Sequence, residues 1–265
     1  MMKYTLGFIG VGNMGSALLY AALRKVDAGK IAICDNDTEK TESLALSYGV
    51  AVATAEEIAG NADFVILGVK PYGVSGVIER IASHLHDGAT LVSMAAGVSL
   101  GEISKYFGED ERSIIRIMPN TPCAVGMGVI QYATVNTSDE KKAAFVSAFS
   151  AAGLLDEIDE SKIDAASALS GCGPAFVYLF AEALADGAVE CGLPRDKAIL
   201  YAAKTLQGAG KMLEEYRSAG DLKDAVCSPG GTTIAGVHAL EKGGLRGAAM
   251  DAVLAAYEKT MKLKS

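Results

Sequence analysis

Over the first 160 residues, short apolar runs alternate with segments of helical periodicity. Residues 4–9 read as a buried strand and 16–26 as a helix. Further strands are predicted over 30–34, 49–53, 63–69, 89–93, 113–118, 128–133 and 154–158. Helices are predicted over 38–48, 55–60, from Pro71 to about His86, 100–107 and 138–151. Such alternation makes a mostly parallel sheet covered on both faces, with ligands at the carboxyl ends of its strands. Four small turns fall on that rim: 10–15, 69–71, 95–97 and 120–121.

Beyond about Asp159 the strand signals stop. Helices are predicted over 161–170, 174–191, 194–216 and 244–264. A helical segment also ends near Val226, and another starts at Thr232 or Thr233. The shift sets a boundary between residues 1–160 and 161–265. Segment 174–191 is apolar nearly all round; its charges, Glu182, Asp186 and Glu190, share one face, read as solvated or inter-subunit. A helix of that kind must be buried, and fewer than 110 residues of helix cannot wrap it. The second half is therefore expected to pack on a second subunit as an intertwined homodimer.

Composition narrows the function. A net charge of −8, scattered basic residues and no Trp argue against nucleic acid and against a membrane surface. Cys34, Cys123, Cys172, Cys191 and Cys227 contain no CxxC pair and read as reduced, mostly buried thiols. The start lacks a signal-peptide pattern. The longest uncharged run, 165–181, is broken by Gly171-Cys172-Gly173-Pro174, so no membrane span of ~20 residues is expected. The expected location is cytoplasmic.

Gly10-Val11-Gly12-Asn13-Met14-Gly15 is a G-x-G-x-x-G run between a strand and a helix. Its first glycine makes the tight turn, its second admits a pyrophosphate, and its third lets the helix approach the strand. A glycine-rich turn in a non-binding α/β fold is the plainer alternative. Asp35 ends the second strand, 20 residues after Gly15, where an acid commonly bonds the adenosine ribose. It favours NADH, unless it merely starts a helix. No Arg follows directly for a 2′-phosphate; Asn36, Thr38 and Lys40 are the nearby candidates. The expected fold is an α/β Rossmann-type N-terminal domain followed by an all-α C-terminal dimerisation domain.

In the second half, Ser228-Pro229-Gly230-Gly231-Thr232-Thr233 turns the chain into a new helix. Free N–H groups and the positive end of the helix dipole would cradle a carboxylate or phosphate there. A plain turn capped by Ser or Thr is the alternative. His84 and His86 read as surface residues at a helix end, His238 as a packed or interface residue, and no metal site is expected.

These segments resemble pyrroline-5-carboxylate reductase over nearly the whole chain. The resemblance lies in residues 7–15, Val69-Lys70-Pro71, Ala95-Ala96-Gly97, Arg116-Ile117-Met118-Pro119-Asn120-Thr121-Pro122 and residues 168–175, and most specifically in 222–241. It implies reduction of a cyclic imine to L-proline by NADPH or NADH, and a homodimer often assembled into decamers. It further implies that Ser228, Gly230, Gly231, Thr232 and Thr233 line the substrate site, with the Thr233 hydroxyl at the ring nitrogen or carboxylate. Cofactor contacts are implied for Gly10, Gly12, Asn13, Met14, Gly15, Asp35, Asn36, Val69, Lys70, Pro71, Ala95, Ala96, Gly97 and Asn120. Cys34-Asp35 departs from the polar or basic residue many members carry for NADPH. β-Hydroxyacid dehydrogenases share the architecture, but their catalytic Lys position is Val177 here. A dinucleotide-sensing protein is the non-enzymatic alternative; it would have no substrate for the Ser228 turn.

Overall fold

A computed structural model describes residues 4–262. The strands are β1 (Tyr4–Ile9), β2 (Ile31–Cys34), β3 (Ala51–Val52), β4 (Ala62–Leu67), β5 (Thr90–Ser93), β6 (Ser113–Pro119), β7 (Gly128–Val135) and β8 (Gly153–Glu157). Between and after them lie α1 (Asn13–Ala22), α2 (Thr38–Tyr48), α3 (Ala55–Asn61), α4 (Val74–Ile81), α5 (Leu100–Ser104), α6 (Asp139–Phe149) and α7 (Glu160–Ser170). They form one sheet in the order β3-β2-β1-β4-β5-β6-β7-β8. Pairing is parallel from β3 to β6; β7 turns antiparallel to β6, and β8 runs parallel to β7.

The central strands are apolar on both faces because both are covered. Leu6 and Phe8 of β1 pack with Leu18, Phe145 and Phe149 on one side. On the other, Ile9, Val65 and Leu67 pack with Ile58, Ile78 and Ile103. Gly7 lies under α3, where a Cβ would come 2.3 Å from Ile58 Cγ2. The predicted helix from Pro71 to His86 is broken: α4 is flanked by 3-10 turns at Pro71–Gly73 and Ala82–His84. His86 accounts for part of this, since its ring bonds the Ala62 carbonyl and accepts the Gly88 N–H.

The chain divides into two compact units, but the division falls after Cys172 rather than at 160. Unit 1 runs to Cys172 and includes the stretch from Tyr257; unit 2 is Gly173–Ala256. The Ala-rich α7 reads like the helices after it, yet Ile163 joins the sheet core and Ala168 is also buried. Its strongest tie is polar. Arg116 of β6 is 1 % exposed and donates from Nη1 to Glu160 Oε1 at 2.9 Å and from Nη2 to Asp164 Oδ1 at 3.1 Å. Glu160 Oε1 also accepts the Leu100 N–H of α5 at 2.7 Å. At the far end of α7, Asn120 Nδ2 donates to the Ser170 carbonyl, and Gln131 Nε2 donates to Ser170 Oγ.

Unit 2 holds α8 (Gly173–Glu190), α9 (Arg195–Tyr216), α10 (Ala219–Ala225), α11 (Thr232–Lys242) and most of α12 (Leu245–Lys262). A small contact of Ala185, Ala198 and Ala202 joins α8 to α9. Much of the remaining apolar surface is uncovered within one chain, including Val177, Tyr178, Leu179, Leu200 and Tyr201. Against the expectation that no segment is long enough, Glu160–Glu190 is long and apolar enough to cross a bilayer by length and composition, and only 11% of its most apolar window is buried within the chain. A helix that packs on another protein chain passes the same test. On the polar face of α8, Asp186 pairs with Arg195. The thiols are less buried than expected: only Cys123 is fully buried, and Cys191 is exposed.

Replacing Arg116 by Met takes the cation away from two carboxylates, one of which, Asp164, is buried. The expected cost is about 3–5 kcal/mol in urea unfolding at fixed protein concentration. Adding Asp164→Leu should recover part of it, because the buried negative charge then leaves together with its countercharge.

Candidate active site

The glycine run forms where β1 stops. Gly10 has φ +98°, and its N–H donates to the Cys34 carbonyl at 2.7 Å. A Cβ there would lie 2.7 Å from the Gly68 carbonyl carbon, and one on Gly68 would lie 2.1 Å from the Gly10 oxygen. The two turns therefore pass backbone against backbone. A Cβ on Gly15 would fall 2.3 Å from the same Gly10 oxygen, which fixes how closely α1 approaches β1. Gly12 differs: a Cβ there meets nothing within 4 Å. It also caps α1 without a side-chain hydrogen bond, so the helix N-terminus faces open space. These features fit a pyrophosphate bound at a helix N-terminus.

Asp35 stands beside this loop. Its Oδ2 accepts the Val11 N–H at 2.7 Å and its Oδ1 accepts the Asp37 N–H at 3.1 Å. Helix α2 is capped instead by Asp37, whose side chain accepts the Lys40 N–H. The helix-start role thus belongs to Asp37, and Asp35 ties the ends of β1 and β2 together at the cleft.

A cleft of about 480 Å³ is lined by Gly10, Gly12, Asp35, Asn36, Val69 and Lys70 from the expected set. Pro71 opens the 3-10 turn after Lys70, and Asn13, Met14 and Gly15 form the first turn of α1. Ala95, Ala96 and Gly97 follow β5, one strand beyond β4; Ala95 is buried, and Gly97 has φ +79°. Asn120 follows β6 directly. Its amide donates to Ser170 and its Oδ1 accepts the Val129 N–H, so its side chain serves the fold.

The cleft also takes Tyr72, Val77 and Arg80, which the motif reading missed. Gly73, Gly76, Val77 and Arg80 recur at helical spacing on one face of α4, while Val74, Ile78 and Ile81 point to the core. That spacing was the available signal. Burial pushes the Cys34 thiol up, and the nearby Arg80 guanidinium partly offsets this.

In unit 2, α10 ends at Ala225, and the turn closes with the Gly231 N–H donating to the Ser228 carbonyl at 3.0 Å. Gly230 takes φ +69°. Gly231 packs so tightly that a Cβ would lie 2.3 Å from Ser228 Oγ. Gly231, not Ser or Thr, is the N-cap of α11, and no side chain bonds the helix N-terminus. The expected Ser or Thr cap is therefore not formed in this chain. Ser228, Gly230, Thr232 and Thr233 are exposed within this chain.

An open glycine loop, a strand-end acid and an adjoining cleft define a nicotinamide-dinucleotide oxidoreductase. Residues 5–97 match the family described as NADP oxidoreductase coenzyme F420-dependent, and residues 160–263 match pyrroline-5-carboxylate reductase dimerisation. The chain is 40% identical over 268 residues to the pyrroline-5-carboxylate reductase of Escherichia coli (strain K12), covering 99% of each. A solved pyrroline-5-carboxylate reductase from Coxiella burnetii aligns with TM-score 0.90 at 32% identity, covering 99% of each chain. A Plasmodium falciparum pyrroline carboxylate reductase with NADP bound aligns with TM-score 0.87 at 33% identity, covering 100% of each. The chain belongs to the pyrroline-5-carboxylate reductase family.

Two glycine substitutions separate binding from folding. Gly12→Ala should leave thermal unfolding nearly unchanged and weaken NADPH binding about tenfold or more in a fluorescence titration, about 1.4 kcal/mol. Gly15→Ala should lower the melting temperature as well, because its Cβ collides with backbone.

Proposed function

We propose that this protein reduces the cyclic imine 1-pyrroline-5-carboxylate to L-proline with NAD(P)H, and that the turn at Ser228, Gly230, Gly231, Thr232 and Thr233 holds the substrate carboxylate. The observation that carries the assignment is the N-terminus of α11, built around a tight Gly231–Ser228 contact with no side-chain cap. Its N–H groups and helix dipole suit an anion. The nicotinamide, when bound, supplies the hydride. The loop from Gly10 to Gly15 seats the pyrophosphate, Asp35 and Asn36 border the adenosine end, and Val69, Lys70 and Pro71 continue the wall.

The chain's task is mainly placement and charge matching. A protonated imine carbon accepts hydride without a strong enzymatic acid. The Thr233 hydroxyl is assigned to the ring nitrogen or the carboxylate, which fixes the face of the imine presented. Oxidation of a hydroxyl group would need a base, and Val177 occupies the position where the related dehydrogenases carry Lys. The dimerisation match and the uncovered apolar faces of α8 and α9 support a homodimer. On this reading the enzyme is soluble and cytoplasmic, and protein rather than lipid covers the Glu160–Glu190 stretch. Sedimentation is expected to give a dimer or five dimers joined as a decamer.

Thr233→Ala should lower kcat/KM for the imine about 10–100-fold, or about 1.4–2.7 kcal/mol, with NADPH binding unchanged. Loss of absorbance at the reduced-nicotinamide band with pyrroline-5-carboxylate, followed for both cofactors, reads this directly. Unchanged kinetics in the variant would remove Thr233 from the site, and oxidation of 3-hydroxy acids would remove the proposed reaction.

A further inference from the structure

Apart from Val77, the face of α4 that looks into the cleft carries no bulk until Arg80. Gly73, Gly76 and Val77 line the cleft, and a Cβ on Gly76 would meet nothing within 4 Å. A flat aromatic base fits against such a surface. Arg80 stands one turn further on, at the end of the cleft that Cys34, Asp35 and Asn36 complete. Its Nε lies 2.9 Å from Glu56 Oε1, and it shares the cleft lining with Cys34, whose thiol its charge partly stabilises as the anion. A cation is thus held at the strand end where the adenosine ribose is read. It comes from α4, whereas a motif search looks just after β2, where only Asn36, Thr38 and Lys40 offer polar groups.

The charges at this corner compete. Asp35 would repel a ribose phosphate, but both of its oxygens already accept backbone N–H groups, from Val11 and Asp37. Glu56 partly neutralises Arg80, but the pair is open to water, with the Arg80 side chain 52% exposed. Exposed ion pairs are weakly held. A phosphate carries more charge than a carboxylate, and guanidinium presents a planar fork that matches it.

We propose that Arg80 is a cofactor-specificity residue: its guanidinium receives the 2′-phosphate of NADPH beside Asp35 and Asn36, while Asp35 serves the ribose hydroxyls of NADH. The chain accordingly uses both cofactors, each through a different side chain. This rests on the dinucleotide reading of the cleft.

Isothermal titration of the full-length protein with 2′,5′-ADP and with 5′-AMP isolates the 2′-phosphate. Wild type should bind 2′,5′-ADP about tenfold or more tighter than 5′-AMP. Arg80→Gln should abolish that advantage while leaving 5′-AMP affinity within about twofold, and Arg80→Lys should keep part of it. In turnover, Arg80→Gln should raise KM for NADPH about tenfold with kcat and the NADH constants nearly unchanged. Arg80 is half-exposed, and an unshifted melting curve checks that the variant is folded. Equal weakening of both nucleotides would assign Arg80 to adenine packing and overturn the proposal, as would no change in either. Failure of wild type to bind either nucleotide would overturn the dinucleotide reading itself, and Arg80's role with it.

Discussion

A single buried cation orders the junction between the sheet and the helix that leaves it. Arg116 projects from β6 into the layer beneath α7, and a guanidinium there cannot remain without countercharge. Glu160 and Asp164 supply it from successive turns of one helix, four residues apart. The planar fork of Arg can address two carboxylates at once, which the point charge of Lys does less well. Its Nε has no hydrogen-bond partner among the described residues, so the geometry is set by the two pairs. Through Glu160 the same network caps the start of α5, and through Ser170 the far end of α7 is held to Asn120 and Gln131. The direction in which the chain leaves the sheet is therefore fixed by polar contacts, in a place where small apolar side chains alone would allow sliding.

The cofactor side is built largely of backbone. Gly10 and Gly68 touch where side chains would keep β1 and β4 apart, and Gly15 lets α1 start almost on the turn. Asp35 then draws the Val11 N–H toward the end of β2, so the loop is held before any ligand arrives. Preorganised N–H groups lose little freedom on binding, which leaves more of the interaction for affinity. The turn in unit 2 follows the same logic: glycines set the path, and side chains stay off the helix N-terminus.

Much of this was legible in the chain. Local periodicity located every strand to within a few residues, because the central strands are apolar on both faces and bounded by Gly, Pro or Asp. The glycine run was legible because each glycine answers a steric demand that no other residue meets. The affiliation of α7 was not, since its composition is that of the helices after it and its partner Arg116 lies 44 residues earlier in sequence. Asn120 sits in a recognisable motif, yet its amide is consumed by contacts that only tertiary structure reveals. Arg80 went unseen because it reaches the cleft from a neighbouring helix. Cys34 is only partly buried because it ends β2 at the cleft, and Cys191 is exposed on the helical unit, whose faces one chain leaves uncovered.

That uncovered surface bears on how the protein is made. Unit 1 can close its core as soon as residues to about 172 have emerged, since nearly all of its sheet contacts lie within them. The helices from α8 onward are translated last and bury little against one another. A newly finished chain thus has one closed unit and one with bare apolar helices, and how long these stay bare depends on how soon the chain meets a second one. Chains translated close together on one message would pair quickly, whereas a scarce chain would keep its apolar helices open to chaperones and proteases.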